Sequence, residues 1–149
     1  MQYIRSTVFF ITMVVTAIIF AVFSVLLYPL SFEARYRIIS QWAKFNVWWL
    51  GVSCGLRYEV DGLENLPKET AIVFAKHAST WETFALQCFL PPQTWVLKRE
   101  LLRVPFFGWG LAMLKPVAID RASGRKALKQ LIELGTQCLD EGRWLIIFP

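Results

Sequence analysis

Between Arg5 and Glu33 the chain carries no charged side chain, an unbroken run of 27 residues from Ser6 to Phe32. A helix needs about 20 apolar residues to cross the hydrocarbon of a bilayer, so this run is long enough. The competing reading is a secretory signal peptide, with an apolar stretch of about 7–15 residues and a small-residue cleavage site. This run is longer and closes on Leu27-Tyr28-Pro29-Leu30, with no Ala-x-Ala pattern. It reads as a retained membrane anchor over residues 1–32. Arg35, Arg37 and Lys44 beyond it outnumber Arg5 and the amino terminus before it, which places the remainder of the chain on the cytoplasmic side.

Residues 33–56 differ in kind. They mix Arg35, Arg37 and Lys44 with Trp42, Trp48 and Trp49. Indole rings and snorkelling basic side chains both collect where lipid meets water. The segment reads as an amphipathic helix lying against the bilayer and ending near Gly51 or Gly55. An ordinary helix docked on a globular domain fits the same residues.

The chain has 149 residues, a net charge of +5 and a hydrophobic fraction of 56%. That fraction exceeds the roughly 45–50% of soluble domains. On a membrane-bound chain, basic balance points to anionic lipid headgroups. No zinc-finger, RNP-like or long basic tract supports nucleic-acid binding. Cys54, Cys88 and Cys138 are odd in number and form no Cys-x-x-Cys pair, which fits reduced thiols in a cytosolic compartment.

From residue 57 the pattern becomes α/β. Leu56 to Val60 alternates like a strand, Thr70 to Ala75 is a continuous apolar run, and Thr94 to Leu97 and Met113 to Ile119 read as further strands, the last weakened by Pro116. Trp81 to Leu90 suits a helix stopped by Pro91-Pro92. Ser123 reads as the cap of a helix over Gly124–Glu141, with Leu128, Leu131, Ile132 and Leu139 on its inner face. Trp144 to Phe148 is a last buried strand. Strands alternating with helices imply a mostly parallel or mixed sheet covered by helices. The sequence stops at Pro149, on the tip of such a strand, and so reads as cut short.

The single histidine lies in Lys76-His77-Ala78-Ser79-Thr80-Trp81-Glu82, where an apolar strand gives way to a helix. An imidazole titrates near neutral pH and serves as a general base when a partner orients it. On one straight helix His77 and Glu82 would stand about 140° apart. They meet only if His77 stays on the strand exit and the helix starts after it. Ser79-x-x-Glu82 is a capping box that favours such a start, and it also supplies a purely structural role for Glu82. Both readings stand on spacing alone.

At these residues the chain resembles the glycerolipid acyltransferases, and among them those that acylate 1-acylglycerol-3-phosphate. Their first motif reads Asn-His-x-Ser-x-x-Asp; here Lys76 replaces the Asn and Glu82 the Asp. Val117-Ala118-Ile119-Asp120-Arg121 resembles the second motif, whose arginine meets the acceptor phosphate. Lys98-Arg99-Glu100-Leu101, Pro105 and Gly108 resemble the segment between the two. Of the third motif, Phe-Pro-Glu-Gly-Thr-Arg, the sequence holds Phe148 and Pro149, and a fourth motif is absent.

The resemblance implies a membrane enzyme with a glycerol-3-phosphate-acyltransferase-like mixed sheet, of which residues 57–149 form the first part. It implies acyl transfer from acyl-CoA or acyl-carrier protein to a lysophosphatidic acid, with no cofactor and no metal, at the cytoplasmic face of a bacterial inner membrane. His77 would be the base and Glu82 its orienting partner; Arg121, Lys98 and Ser79 would bind substrate. An inactive, membrane-anchored fragment and an enzyme for another lysolipid are the alternatives.

Overall fold

The structure, a computed structural model, describes residues 2–149, with the backbone alone at Arg121. Two long helices come first: α1, Gln2–Leu26, and α2, Phe32–Cys54. Ser31 caps α2 through a bond from the Ala34 N–H to its hydroxyl, and Gly55, at φ 73°, ends it by donating to the Gly51 carbonyl. Only glycine takes that left-handed angle without strain.

The two helices run antiparallel along their length. At one end Arg5 donates to the Ser53 carbonyl, at mid-length the Trp42 indole donates to Thr16 Oγ1 at 3.0 Å, and at the other end Leu27 shares a core cluster with Tyr36 and Ile39. The α1 stripe that meets its neighbours includes Thr16, Ala21 and Ser24, short side chains that permit close approach. Most of the rest of α1 beyond its first turns is apolar and much of it exposed, and α1 alone among the described residues is long and apolar enough to cross a membrane. On α2, Tyr36, Ile39, Ala43 and Val47 turn inward at helical spacing, while Trp48 is exposed and Trp42 and Trp49 are half-buried.

The α/β part follows: β1 Ile72–Phe74, α3 Trp81–Phe89, β2 Gln93–Lys98, α4 Phe107–Met113, β3 Val117–Ile119, α5 Arg125–Asp140 and β4 Trp144–Ile147. The strands lie in the order β1-β4-β2-β3, and every pairing is parallel. This is the α/β arrangement of strands and covering helices, with a mostly parallel sheet, that the sequence implied. Side chains alternate across the strands. Trp95 and Ile146 face α2 in one core; Val96, Val117, Ile119 and Leu145 meet Cys138 of α5 in the other. A third cluster, Ala43, Val47 and Phe84, ties α2 to α3 and touches Met13 of α1.

Several sequence expectations are corrected. Residues 56–60 form no strand; their alternation has no neighbouring strand to pair with. Pro116 removes an amide donor, so β3 begins after it, and α4 takes up Met113. Ser123 does not cap α5: its hydroxyl donates to the Asp120 carbonyl, and Gly124 at φ 54° precedes the helix. Leu128 and Ile132 are exposed, whereas Leu131, Leu134 and Leu139 face the sheet. The aromatic segment Val104–Trp109 is largely exposed.

Candidate active site

Because all four strands are parallel, their carboxyl ends share one edge of the sheet, where ligands of open α/β sheets bind. Registers set the relative heights. Phe74 lies level with Ile147, and Trp95 pairs with Ile146, so Lys98 and Ile119 reach two residues past Phe74 toward that edge. After β1, the Ala75 N–H still donates to the Ile147 carbonyl, at 3.1 Å. The chain then leaves the sheet through His77 and enters α3 four residues later.

His77 and Glu82 meet. His77 Nδ1 stands 3.8 Å from Glu82 Oε2, within ion-pair reach and beyond a hydrogen bond. The imidazole side chain is 46% exposed and the carboxylate 22%. Ser79 fixes the carboxylate from below: its backbone N–H donates to Oε2 at 2.9 Å and its hydroxyl to the same oxygen at 3.0 Å. The Trp81 N–H donates in turn to the Ser79 hydroxyl, at 3.2 Å. The capping box and the histidine contact therefore coexist on one carboxylate. Desolvation is the largest single influence on Glu82 and favours its neutral form. The bonds from its own backbone N–H and from Ser79 together outweigh it, and the carboxyl sits below its ordinary range.

The other face of the imidazole lies on Phe148, with ring centroids 4.4 Å apart and planes 23° from parallel. Phe148 follows β4 and packs into the same core as Trp95 and Ile146, so the ring that supports His77 is itself anchored. Sequence reasoning found Phe148 only as the start of a motif. Nothing local in the sequence signals the stacking, because the contact joins two strand ends distant in sequence.

Lys98 is exposed at the end of β2, two strand spacings from β1, or roughly 10 Å at ~4.8 Å per strand. Arg121 begins the short turn after β3, three spacings or about 14 Å away; its side chain lies outside the described residues. Ser79 is committed to Glu82 and Trp81. Arg99 is committed to Gln130 of α5, at 3.1 Å. An open, mainly apolar cleft of about 350 Å³ begins at Ser79 and Trp81 and runs between Val47, Leu50 and Leu56, with Arg57 on its wall. A larger cleft of about 450 Å³ lies at the far end of α3, between Arg37, Lys44 and Pro91-Pro92, away from the pair.

This arrangement is an imidazole beside a carboxylate at an open strand edge. A model of the acyltransferase family matches residues 57–149, which include both members of the pair and Phe148. The chain belongs to the acyltransferase family. A 1-acyl-sn-glycerol-3-phosphate acyltransferase of Pseudomonas aeruginosa is 49% identical over 99% of this chain and 58% of its own length. One of Saccharomyces cerevisiae is 32% identical over 74% of the chain and 38% of the relative, and one of Helicobacter pylori 30% identical over 52% and 33%. No solved structure matches the chain. The chain thus spans a little over half the length of the Pseudomonas relative it matches. Family membership and the apolar α1 together associate it with a membrane.

Proposed function

We infer that this chain carries the acid–base centre of an enzyme that transfers an acyl group to the free hydroxyl of 1-acylglycerol-3-phosphate, giving phosphatidic acid. The donor is an acyl-CoA or acyl-carrier-protein thioester, met at the cytoplasmic face of a bacterial inner membrane. One observation carries the reading: His77 presents an exposed ring whose Nδ1 faces a carboxylate. The names of the relatives supply the acceptor.

With Nδ1 turned to Glu82, Nε2 is left for the substrate. It takes the hydroxyl proton as the lipid oxygen bonds to the thioester carbonyl carbon. The tetrahedral adduct expels the thiolate, and the imidazolium returns its proton to that sulfur. Glu82, held ionised by Ser79, stabilises the imidazolium in between. The nucleophile is the acceptor itself, so no serine or cysteine nucleophile is required. In this reading Arg121 and Lys98 hold the acceptor phosphate, a planar guanidinium engaging two oxygens at once. The cleft beside Ser79 receives apolar substrate.

The test uses the chain alone and the chain extended by the segment with which the Pseudomonas relative continues, each in vesicles with lysophosphatidic acid and labelled acyl-CoA or acyl-carrier protein. Phosphatidic acid formed by the extended chain and lost with His77→Ala, membrane binding intact, is the expected result. An inert extended chain, or substantial turnover by His77→Ala, overturns the base assignment. Activity only on extension identifies the unextended chain as inactive by itself.

A further inference from the structure

Beside α1 lies an aromatic surface that the acyl-transfer reading does not use. The segment Val104–Trp109 exposes Phe106 at 39%, Phe107 at 45% and Trp109 at 47%, with Val104 next to them. The Phe106 and Trp109 rings lie 5.0 Å apart, so they form one patch. Exposed apolar side chains that lie together rather than singly point to an interaction site. The segment is not a free loop: Gly110 of α4 sits so close to α1 that an added Cβ would lie 3.6 Å from Ala21 Cα and 3.7 Å from Ser24 Oγ. The patch therefore sits beside α1, whose outward face is apolar and exposed. Arg103, in the last turn of the 3-10 helix just before it, is exposed and brings positive charge next to the segment.

We propose that the Val104–Trp109 segment is a second membrane contact, its aromatic rings seated at the lipid–water boundary beside α1 and Arg103 among anionic headgroups. Three observations select lipid over a protein partner. The patch lies beside a helix long and apolar enough to cross a membrane; tryptophan and phenylalanine beside a basic residue are the composition of the lipid–water boundary; and α1 cannot enter a bilayer without bringing α4 to its surface. The consequence is rotational. A single helix leaves the domain free to tilt relative to the bilayer, whereas a second contact beside it fixes one tilt. The carboxyl edge bearing His77 then keeps a constant direction relative to the lipid surface.

The experiment uses the chain in vesicles of phosphatidylethanolamine and phosphatidylglycerol that contain a phospholipid with a photoactivated diazirine on its acyl chain. Adducts are mapped by peptide mass spectrometry. Adducts on α1 and on residues 104–109, several times denser than on α5, are the expected outcome. Leu128 and Ile132 of α5 are the internal control, being apolar and still more exposed at 59% and 60%. Phe107→Ser with Trp109→Ser lowers the segment to the α5 level and leaves the α1 adducts unchanged. Adducts confined to α1, or equal on the segment and α5, overturn the proposal and leave the patch to a protein partner or a second copy. Labelling requires no turnover, so this outcome is independent of whether the chain transfers acyl groups.

Discussion

The ring of Phe148 lies stacked on the imidazole of His77, centroids 4.4 Å apart, and its own back is held in the core between α2 and the sheet. The stack restrains the imidazole from one face while Glu82 restrains it from the edge. Aromatic pairs contribute roughly 0.5–1.5 kcal/mol beyond burial. Phe148→Leu keeps most of the core volume and removes the planar support. In the extended, active chain we expect kcat to fall about three- to tenfold, the rate equivalent of that energy, with membrane binding unchanged. Phe148→Tyr retains the stack and should stay near wild type. A Leu variant as fast as wild type would show that the ring does not need the stack.

Ser79 tests the other restraint. Its hydroxyl and amide both donate to Glu82 Oε2 and help hold that carboxyl below its ordinary range. Ser79→Ala deletes the hydroxyl bond and leaves the amide. The carboxyl then rises toward its ordinary value and is neutralised at higher pH than in the wild type. The imidazolium formed in the reaction is then less well stabilised, and kcat near pH 7 should fall by about tenfold, from one charge-assisted bond. An unchanged kcat would separate Ser79 from the catalytic pair.

The meeting of His77 and Glu82 was legible in the sequence because a capping residue between them forces a strand exit followed by a helix start. The alternation of strands and helices was legible for the same local reasons. What failed was long-range. Leu56–Val60 has strand periodicity but no partner strand, and periodicity cannot supply one. Leu128 and Ile132 fit the apolar spacing of α5, yet the sheet beneath it is met by Leu131, Leu134 and Leu139 instead. The stacking of Phe148 on His77 depends on β1 and β4 being neighbours, which no local pattern encodes.

Two glycines of α4 give opposite expectations. A Cβ on Gly108 would lie 2.3 Å from the Leu102 carbonyl oxygen and 2.6 Å from its carbon, against backbone that cannot rotate away. Gly108→Ala should destabilise the chain by about 1–3 kcal/mol, the usual cost of overpacking, or more. A Cβ on Gly110 would lie 3.6 Å from Ala21, an ordinary contact, and alanine favours a helix. Gly110→Ala should be neutral or slightly stabilising. Urea unfolding followed by tryptophan fluorescence compares the two; equal effects would mean that the turn before α4 yields.

Glu141 offers the last prediction. Its carboxylate accepts from the Gln137 amide at 2.9 Å and from Arg143 Nη2 at 2.9 Å, with Lys115 Nζ at 3.7 Å. The Gln137 bond contributes most to holding the carboxyl below its ordinary range; desolvation opposes it, and Arg143 and Lys115 add to it. Arg143 is nearly buried, its guanidinium also bonded to the Lys115 carbonyl and lying 5.1 Å from the centre of the Phe32 ring. A carboxyl depressed in the folded state contributes stability above its unfolded pKa, near 4.3, and loses it as pH falls through the folded value. Glu141→Gln should therefore cost about 1 kcal/mol at pH 7, a modest figure because the carboxylate is about one-third exposed and screened. The variant should also lose less stability than wild type as pH falls below about 4.3. Parallel stability curves for the two proteins across that range would mean that the charge on Glu141 is not what holds Arg143 in place.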